Sequence, residues 1–316
     1  MGLRINTNVT SLAAQRTLGA NNAEQASTLG KLSSGSRIVK AADDAAGLAI
    51  SEKLKAQIRG TGQAERNAND GISLIQTAEG GLNESSNILV RLRELAVQSS
   101  SDTVGDSERK FTDLEYQNLK QEMERISQVT EFNGKKLLNG SGDKFDIQIG
   151  INNDDFQDRI KYDATKQNSS LSSLGVEELS VGTKESSQAS LAKIDAAIQN
   201  VSGQRAELGA IQNRLTSTVN NLQSSSENLS AANSRIRDTD FASESAKNTK
   251  MNILTSAGVS VLSQANSQGQ AALKLLGWLL DSYLLIIYFL KEGFPEWKAL
   301  FIVTVLLQHV QVLVIR

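Results

Sequence analysis

Cysteine is absent from all 316 residues, so the chain has neither disulfides nor thiolate metal sites. Proline occurs once, at Pro295, and histidine once, at His309. Catalysis needs a nucleophile, an acid or a base held in a constellation, and one histidine near the end of the chain does not supply it. These absences predict that the protein is not an enzyme and that it carries no cofactor and no metal ion.

Aromatic residues are also scarce, at 4% of the chain, which is too few for a large globular core. The formal net charge is −2 and the lysines and arginines are scattered rather than clustered, so no nucleic-acid partner is predicted. The N-terminus has no apolar run that could form the core of a signal peptide. We therefore expect a protein that is cytosolic or is exported by a route that does not read such a peptide.

Heptad periodicity, in which apolar residues recur at alternating steps of three and four, is the strongest positive signal. Residues 75–96 predict a first helix, and residues 116–126 predict a second helix that runs back along it. Residues 191–236 predict a longer helix whose seam is interrupted by Ser and Thr. The prediction is a mainly α fold, an elongated antiparallel helical bundle or coiled coil over residues 45–235. The first seam consists of Ile75, Ala78, Leu82, Ser85, Leu89, Leu92 and Ala96.

A period of two replaces the helical period where Phe145, Ile147 and Ile149 alternate with polar residues. This pattern predicts a small β-hairpin near residues 143–162. Residues 163–187 are rich in Ser, Thr, Gly and Glu and are predicted to form a surface loop. Residues 60–71, rich in Gly, Asn and Gln, are predicted to form a joint or a helix irregularity.

Two terminal arms, residues 1–44 and 236–277, flank this body and carry thin apolar stripes. Burying such a stripe recovers only a few kcal/mol at roughly 25 cal/mol per Å², whereas ordering each residue costs roughly 1–2 kcal/mol. Each arm alone is expected to be disordered, so the simplest solution is that the arms pair with each other and with other copies. The predicted subunit-interface residues are Ile5, Val9, Leu12, Leu29, Leu32, Ile253, Leu254, Val261, Leu262 and Leu276.

A polar break joins the N-terminal arm to the body. Residues 33–36 read Ser-Ser-Gly-Ser, and Asp43 and Asp44 stand where the next helix is expected to begin. We interpret these adjacent carboxylates as helix caps and turn formers rather than as an acid–base or metal site. Residues 235–240 form a similar break before the C-terminal arm. An apolar stripe follows the first break, at Ala46, Ile50, Leu54 and Ile58.

The run Leu32-Ser-Ser-Gly-Ser-Arg-Ile38, followed by Asp43-Asp-Ala-Ala-Gly-Leu-Ala-Ile50, resembles the N-terminal signature of bacterial flagellin. Near the other end, Gln270-Ala-Ala-Leu-Lys-Leu-Leu-Gly277 resembles the C-terminus of the family. The resemblance covers residues 1–277. It implies a structural subunit that polymerises into the flagellar filament and serves motility.

The resemblance also implies an extracellular location in the flagellum, reached by export without a cleavable signal peptide. The implied partners are other copies of the chain in a helical homopolymer, a flagellar export chaperone and the filament cap protein. In many flagellins the segment that matches residues 89–98 is a subunit contact, and the flagellin-sensing Toll-like receptor of hosts reads it. Carried over by position, Arg91, Leu95 and Glu115 would be receptor contacts; a bare solvated helix surface is the simpler interpretation.

Residues 278–316 have no counterpart in the flagellin pattern and form an anomalous hydrophobic tail. One interpretation is translation beyond the usual end, since a Trp codon is one base from a stop codon and Trp278 follows the terminal glycine of the family. The other is a membrane hairpin of residues 271–290 and 299–315, which would make the chain a membrane-anchored coiled-coil protein. Within the resembling family, the hook–filament junction protein is the alternative because it has similar arms.

Overall fold

The structure is a computed structural model that describes residues 7–291, without some of the side chains after Ser267. The described residues divide into two compact units: a terminal unit, made of the residues up to Asp43 and from Asp238 onward, and a central unit of residues 44–237. The mainly α fold predicted from the sequence is confirmed. The elements are α1 (Val9–Ser34), α2 (Ala45–Ser99), α3 (Asp106–Val129), β1 (Glu131–Phe132), β2 (Lys135–Lys136), β3 (Lys144–Gln148), β4 (Arg159–Asp163), α4 (Leu171–Leu174), α5 (Lys184–Arg237) and α6 (Phe241–Lys291).

Helices α2 and α5 are the main pair of the central unit and run antiparallel. Every residue of the predicted heptad seam on α2 is completely buried, which confirms both the helix and its packing face. Polar contacts show the direction, because positions later in α2 meet positions earlier in α5. They join Glu52 to Arg237 at 2.6 Å, Glu65 to Gln223 at 2.7 Å, Glu79 to Arg205 at 3.7 Å and Arg93 to Asp195 at 2.6 Å.

Helix α3 returns along α2 after a polar turn, as the sequence predicts. Tyr116 and Met123 are fully buried in the same core as the α2 seam. The turn is held by Arg109, whose Nε donates to the carbonyl of Ser99 and whose Nη2 donates to that of Ser101, each at 2.9 Å. Arg109 thereby satisfies a carbonyl that the end of α2 leaves without a helical partner.

Strands β3 and β4 form the hairpin predicted near residues 143–162, with Ile147 paired to Ile160. Both residues are buried, so one face of the hairpin packs on the helical core. A shorter hairpin of β1 and β2 turns at Asn133 and Gly134, whose φ angles are 50° and 76°. Asn-Gly adopts this left-handed backbone at low cost, so the turn is readable from the sequence.

Residues 163–187 were predicted to form a surface loop, but part of this segment packs against the helices while the rest is exposed. Asp113 Oδ1 accepts a hydrogen bond from the amide of Val181 at 2.8 Å, and Lys120 donates to the carbonyl of Leu179 at 2.9 Å. Burial of its ammonium group lowers the pKa of Lys120. A polar composition concealed four anchoring side chains that lie in the core, at Leu174, Val176, Leu179 and Val181.

Helix α2 runs without a break through residues 60–71, so the predicted joint is wrong. The glycines there serve close packing instead. A Cβ built on Gly60 would lie 2.8 Å from Ile151 Cγ2, and one on Gly71 would lie 2.7 Å from Ile147 Cδ1. The missing side chains let the β3–β4 hairpin and its turn approach the helix.

We expect Gly71→Ala to destabilise the central unit, because the added methyl group meets Ile147 in a packed core. Overpacking of this kind costs about 1–3 kcal/mol, partly offset by the better helix propensity of alanine. The matched control is Gly80→Ala on the same helix, where no atom lies within 4 Å of the new Cβ. That change should stabilise by about 0.5–1 kcal/mol. Circular dichroism during thermal unfolding measures the change in stability of each variant, which should be negative for Gly71→Ala and positive for Gly80→Ala. Equal stabilisation by both changes would contradict the packing role of Gly71.

The start of α2 confirms one predicted cap. Asp44 Oδ1 accepts a hydrogen bond from the amide of Gly47 at 2.8 Å. The stripe that follows in the sequence is not the buried face, since Ala46 and Ile50 are exposed while Leu54 and Ile58 are half-buried. Small residues occupy the buried positions, among them Gly47, Ser51 and Thr61.

Candidate assembly interface

Helices α1 and α6 of the terminal unit lie antiparallel to each other. The hydroxyl of Ser11 donates to Asn266 Oδ1 at 2.8 Å, and the side-chain amide of Gln25 donates to Asn252 Oδ1. Gln25 lies 14 residues after Ser11, and Asn252 lies 14 residues before Asn266. The equal spacing shows that one antiparallel register holds along this stretch.

The residues of reduced exposure that recur at heptad spacing on these two helices form what we call the arm seam. Leu18 packs over Gly258, where an added Cβ would lie 3.3 Å from Leu18 Cδ1. An ion pair between Glu24 and Lys247 joins the same helices, and its hydrogen bond lowers the pKa of Glu24. The arm seam consists of Ser11, Ala14, Leu18, Asn21, Gln25, Thr28 and Leu32 on α1 and of Glu244, Asn248, Met251, Thr255, Gly258, Leu262 and Ala265 on α6.

The larger aliphatic side chains of the arms are mostly exposed. Val9 and Leu12 on α1 are 55% and 54% exposed, and Ile253 and Val261 on α6 are 64% and 59% exposed. A helix pair that has a half-polar seam and exposes most of its larger aliphatic side chains departs from the usual amphipathic pattern. This departure indicates a surface that another protein covers. Further exposed residues of the same kind are Leu29, Leu254 and Val259.

The predicted interface residues fall into three groups. Those exposed on the arms are Val9, Leu12, Leu29, Ile253, Leu254 and Val261. Leu32 and Leu262 are half-buried in the arm seam, so they face the other arm of the same chain rather than lying free for another copy. Ile5 lies outside the described residues, and so does the side chain of Leu276.

A polar junction lies beside the arm pair in the terminal unit. Gly35 ends α1 with a φ angle of 67°, and the amide of Thr239 donates to the carbonyl of Gly35 at 3.0 Å. Asp43 Oδ2 accepts hydrogen bonds from the amides of Lys40 and Val39, which lower the pKa of Asp43. Asp43 therefore holds a turn, and the prediction that it caps α2 is wrong.

Arg91 and Glu115 form an exposed charged pair on α2 and α3 of the central unit. Arg91 Nε and Nη2 donate to Glu115 Oε1 at 3.0 and 2.8 Å, and Nη1 donates to Glu94 at 2.9 Å. Hydrogen bonds to Glu94 and Glu115 raise the pKa of Arg91. Leu95 is only 1% exposed and belongs to the core, so its side chain is not available to a receptor in this conformation.

Sequence reasoning missed an apolar surface on the same two helices. Phe111 and Leu114 on α3 are 76% and 66% exposed, and Val90 and Val97 on α2 are exposed as well. A signal was available, because the α3 stripe that begins at Tyr116 leaves Phe111 and Leu114 off the core-facing side.

Acidic residues in the described chain act as turn formers and charge partners. Asp154 Oδ1 accepts a hydrogen bond from the amide of Phe156 at 2.9 Å. Asp155 pairs with Lys161, whose hydrogen bond lowers the pKa of Asp155. Among residues 7–291, no group of three or more His, Cys, Asp or Glu side chains could hold a metal ion. His309 lies outside the described residues.

The membrane hairpin that the sequence suggested for the tail overlaps with α6. Its first proposed span, residues 271–290, falls within that helix, and its second, residues 299–315, lies outside the described residues. In the part of the chain that the structure describes, no helix is both long enough and apolar enough to cross a membrane.

Two family models match this chain. The model of the bacterial flagellin N-terminal helical region matches residues 5–143, and that of the C-terminal helical region matches residues 191–276. The first match contains α1, α2 and α3, and the second contains most of α5 and of α6. Both arms and both long helices of the central unit are thus covered.

The sequences of known relatives align with this chain over nearly their whole length. A flagellin of Halalkalibacterium halodurans is 47% identical over 86% of this chain and 99% of its own. A flagellin of Bacillus subtilis is 44% identical over 87% of this chain and 100% of its own. Among solved structures, a flagellar hook-associated protein of Vibrio parahaemolyticus is 15% identical, with a TM-score of 0.51, over 62% of this chain and 100% of that one. That last similarity is one of fold alone.

The fold and the exposed aliphatic surface of its paired terminal helices place this chain among the mainly helical assembly subunits. The chain belongs to the bacterial flagellin family. It is a structural subunit of the flagellar filament. The fold does not distinguish a filament subunit from the hook–filament junction protein; the matches to named flagellins at 47% and 44% identity do.

Proposed function

We propose that copies of this chain polymerise through their terminal helices, which become ordered as they pack against the arms of neighbouring copies. The observation that carries the proposal is the unusual pattern of the arms, with a half-polar seam inside and aliphatic residues such as Val9, Leu12 and Ile253 outside. Burying those side chains drives assembly at roughly 25 cal/mol per Å². Membership of the flagellin family supports self-association.

In this proposal the central unit folds by itself, whereas the arms require neighbouring copies in order to fold. A hydrophobic core from α2 to α5 lets the central unit fold without a neighbour. The arms gain little from pairing alone, so they fold on binding. Contacts that are heterologous and do not close generate a helical filament rather than a ring.

The proposed domain organisation follows the same division. Residues 1–44 and 236–277 are the arms, residues 45–235 are the helical body, and residues 278–316 are an additional tail. The division of the structure between residues 43 and 44 and between residues 237 and 238 supports these boundaries.

The proposed location is the outside of the cell, in the flagellum, after export without a cleavable signal peptide. An export chaperone and the filament cap are the proposed further partners, since exposed aliphatic arms need cover before they assemble. A filament subunit works through its surfaces, so we propose no catalytic, cofactor-binding, metal-binding or nucleic-acid function.

A second candidate role is recognition by the flagellin-sensing Toll-like receptor of hosts. The exposed pair of Arg91 and Glu115 supports it, together with exposed Phe111 and Leu114 on α3. Charged pairs beside exposed apolar side chains are the composition that protein partners commonly use.

Limited proteolysis tests the main proposal. In the monomer, both arms should be trimmed to a resistant core of about residues 45–235, because the arms bury too little apolar surface to stay folded. In salt-induced filaments the same arms should be protected. Mass spectrometry of the fragments measures both states. Arms that resist cleavage in a verified monomer would contradict folding on binding.

The tail is proposed to hinder assembly. Residues after 276 lie beyond the family model of the C-terminal region. A protein that ends at Gly277 should be soluble and polymerise, whereas the full chain should aggregate, partition to membranes or assemble poorly, because its extra residues are rich in Leu, Ile, Val and aromatics. Sedimentation of the two lengths after salt-induced assembly measures this. Ordinary filaments from the full chain, with none from the shorter one, would show that the tail serves assembly.

A further inference from the structure

Half of the positions in the arm seam are polar, whereas paired helices ordinarily bury leucine or isoleucine at such positions. Two of its side chains have a buried oxygen, Thr28 Oγ1 and Glu244 Oε1, that makes no hydrogen bond with the described residues. Such groups reduce stability, so the seam gives up strength that apolar residues would supply. The polar members of the seam are Ser11, Asn21, Gln25 and Thr28 on α1 and Glu244, Asn248 and Thr255 on α6.

We propose that the arm seam is a register lock: its polar and size-matched pairs allow one antiparallel register of α1 against α6, while keeping the pair too weak to persist without neighbouring copies. This inference rests on the proposed function. An apolar heptad seam packs almost equally well after a slide of seven residues, whereas polar residues in the seam specify register at a cost in stability.

Sliding α6 by one heptad in one direction removes hydrogen bonds between side chains of the two arms. Val259 would take the place of Asn252 opposite Gln25, and a valine cannot accept the amide hydrogen bond. Leu262 would likewise replace a threonine opposite Asn22, which now lies 3.5 Å from that hydroxyl. Polar groups of α1 would then be left without partners.

A slide in the opposite direction is excluded by charge and by volume. Asp240 would take the place of Lys247 opposite Glu24, which sets two carboxylates together. Leu18 would meet Met251 where it now packs over a glycine, so the helices could not approach as closely. Only the observed register satisfies both the hydrogen bonds and the packing.

A single register matters because every subunit of a filament must present the same outer surface to its neighbours. With α6 displaced by seven residues, exposed Ile253 and Val261 would stand at a different height relative to Val9 and Leu12. A rise of 1.5 Å per residue makes that displacement about 10 Å. A strong apolar seam would fix the arms in whichever register formed first, so a weak seam also permits correction.

The absence of cysteine in the chain allows a direct test by cross-linking. In the full chain and in the protein that ends at Gly277, Gln25→Cys is combined with Asn252→Cys for the observed register. The same residue is combined with Val259→Cys or Ser245→Cys for the two registers displaced by one heptad. A short thiol-specific cross-linker is applied to filaments. The in-register pair should cross-link at least about tenfold more than either displaced pair, since a slide loses several contacts.

An apolar-seam variant tests whether the polar residues supply the lock. Asn21→Leu with Thr28→Val should lower that cross-linking ratio by at least about threefold and should slow protease cleavage of the arms in the monomer by about tenfold. The matched control is Gln15→Leu with Thr17→Val, which likewise replaces an amide side chain by leucine and a threonine by valine, at exposed positions of α1. The control should leave both quantities within about twofold of the parent.

The outcomes separate the register lock from the proposed function. Filaments in which all three cysteine pairs cross-link equally would overturn the lock and leave polymerisation through the arms intact. An unchanged ratio and unchanged cleavage in the apolar-seam variant would also overturn the lock. A parent chain that never polymerises would overturn the proposed function, and selective in-register cross-linking of its arms would then support the single register while contradicting the weakness of the seam.

Discussion

An aspartate in place of Ile253 is expected to abolish polymerisation while leaving the central unit folded. Ile253 is 64% exposed in the free chain, so the substitution costs the monomer little. In a filament the carboxylate would be buried against another copy, at a cost of several kcal/mol for every subunit. A loss of that size raises the concentration needed for assembly by about 100-fold or more. Sedimentation and electron microscopy after salt addition measure assembly, and circular dichroism measures folding.

Two comparison variants distinguish a loss of the exposed aliphatic surface from the effect of an added charge and from a disrupted arm seam. Ser263→Asp adds the same charge at an exposed position of α6 that carries no aliphatic side chain, and it should affect assembly much less. Leu262→Asp should also block assembly, but through the arm seam, because Leu262 is half-buried within the chain. Normal filaments from Ile253→Asp would refute the exposed aliphatic surface as the assembly interface.

Leu95→Ala is expected to cause a large loss of stability. Leu95 is almost fully buried in the core of the central unit, and removing such a side chain costs about 2–5 kcal/mol. Arg91→Ala removes an exposed ion pair and should cost far less stability, because solvent screens the charges. Chemical denaturation of the two variants, read by circular dichroism, measures the difference.

The same two variants test whether each residue contacts the receptor directly or only maintains the folded structure. Arg91→Ala should reduce receptor signalling while the fold is intact, because its guanidinium is exposed. Any loss of signalling in Leu95→Ala should follow the fraction of unfolded protein. If Leu95→Ala is as stable as the parent chain and fails to signal, then Leu95 contacts the receptor even though its side chain is buried in the core of this structure.

Local patterns account for what could be predicted from the sequence. A heptad seam is a property of neighbouring residues, so the buried face of α2 from Ile75 to Ala96 was readable without knowing its partner. The Asn133–Gly134 turn and the hairpin with Ile147 were readable for the same reason, since backbone preference and alternation act over a few residues. Family membership was readable because the signature after Leu32 is long and unbroken.

Tertiary structure decided what depends on a distant partner. Glycines in a helix and glycines in a joint look alike in sequence, and only the approach of Ile147 shows that Gly71 makes room for a hairpin. Burial of part of the segment 163–187 depends on anchors such as Lys120 that lie far away in the chain. The face of each arm was undecided as well, because thin stripes of aliphatic and polar residues compete on α1 and α6. The register of the helix pair settled it, turning Ser11 and Gln25 inward and leaving most of the larger aliphatic residues exposed.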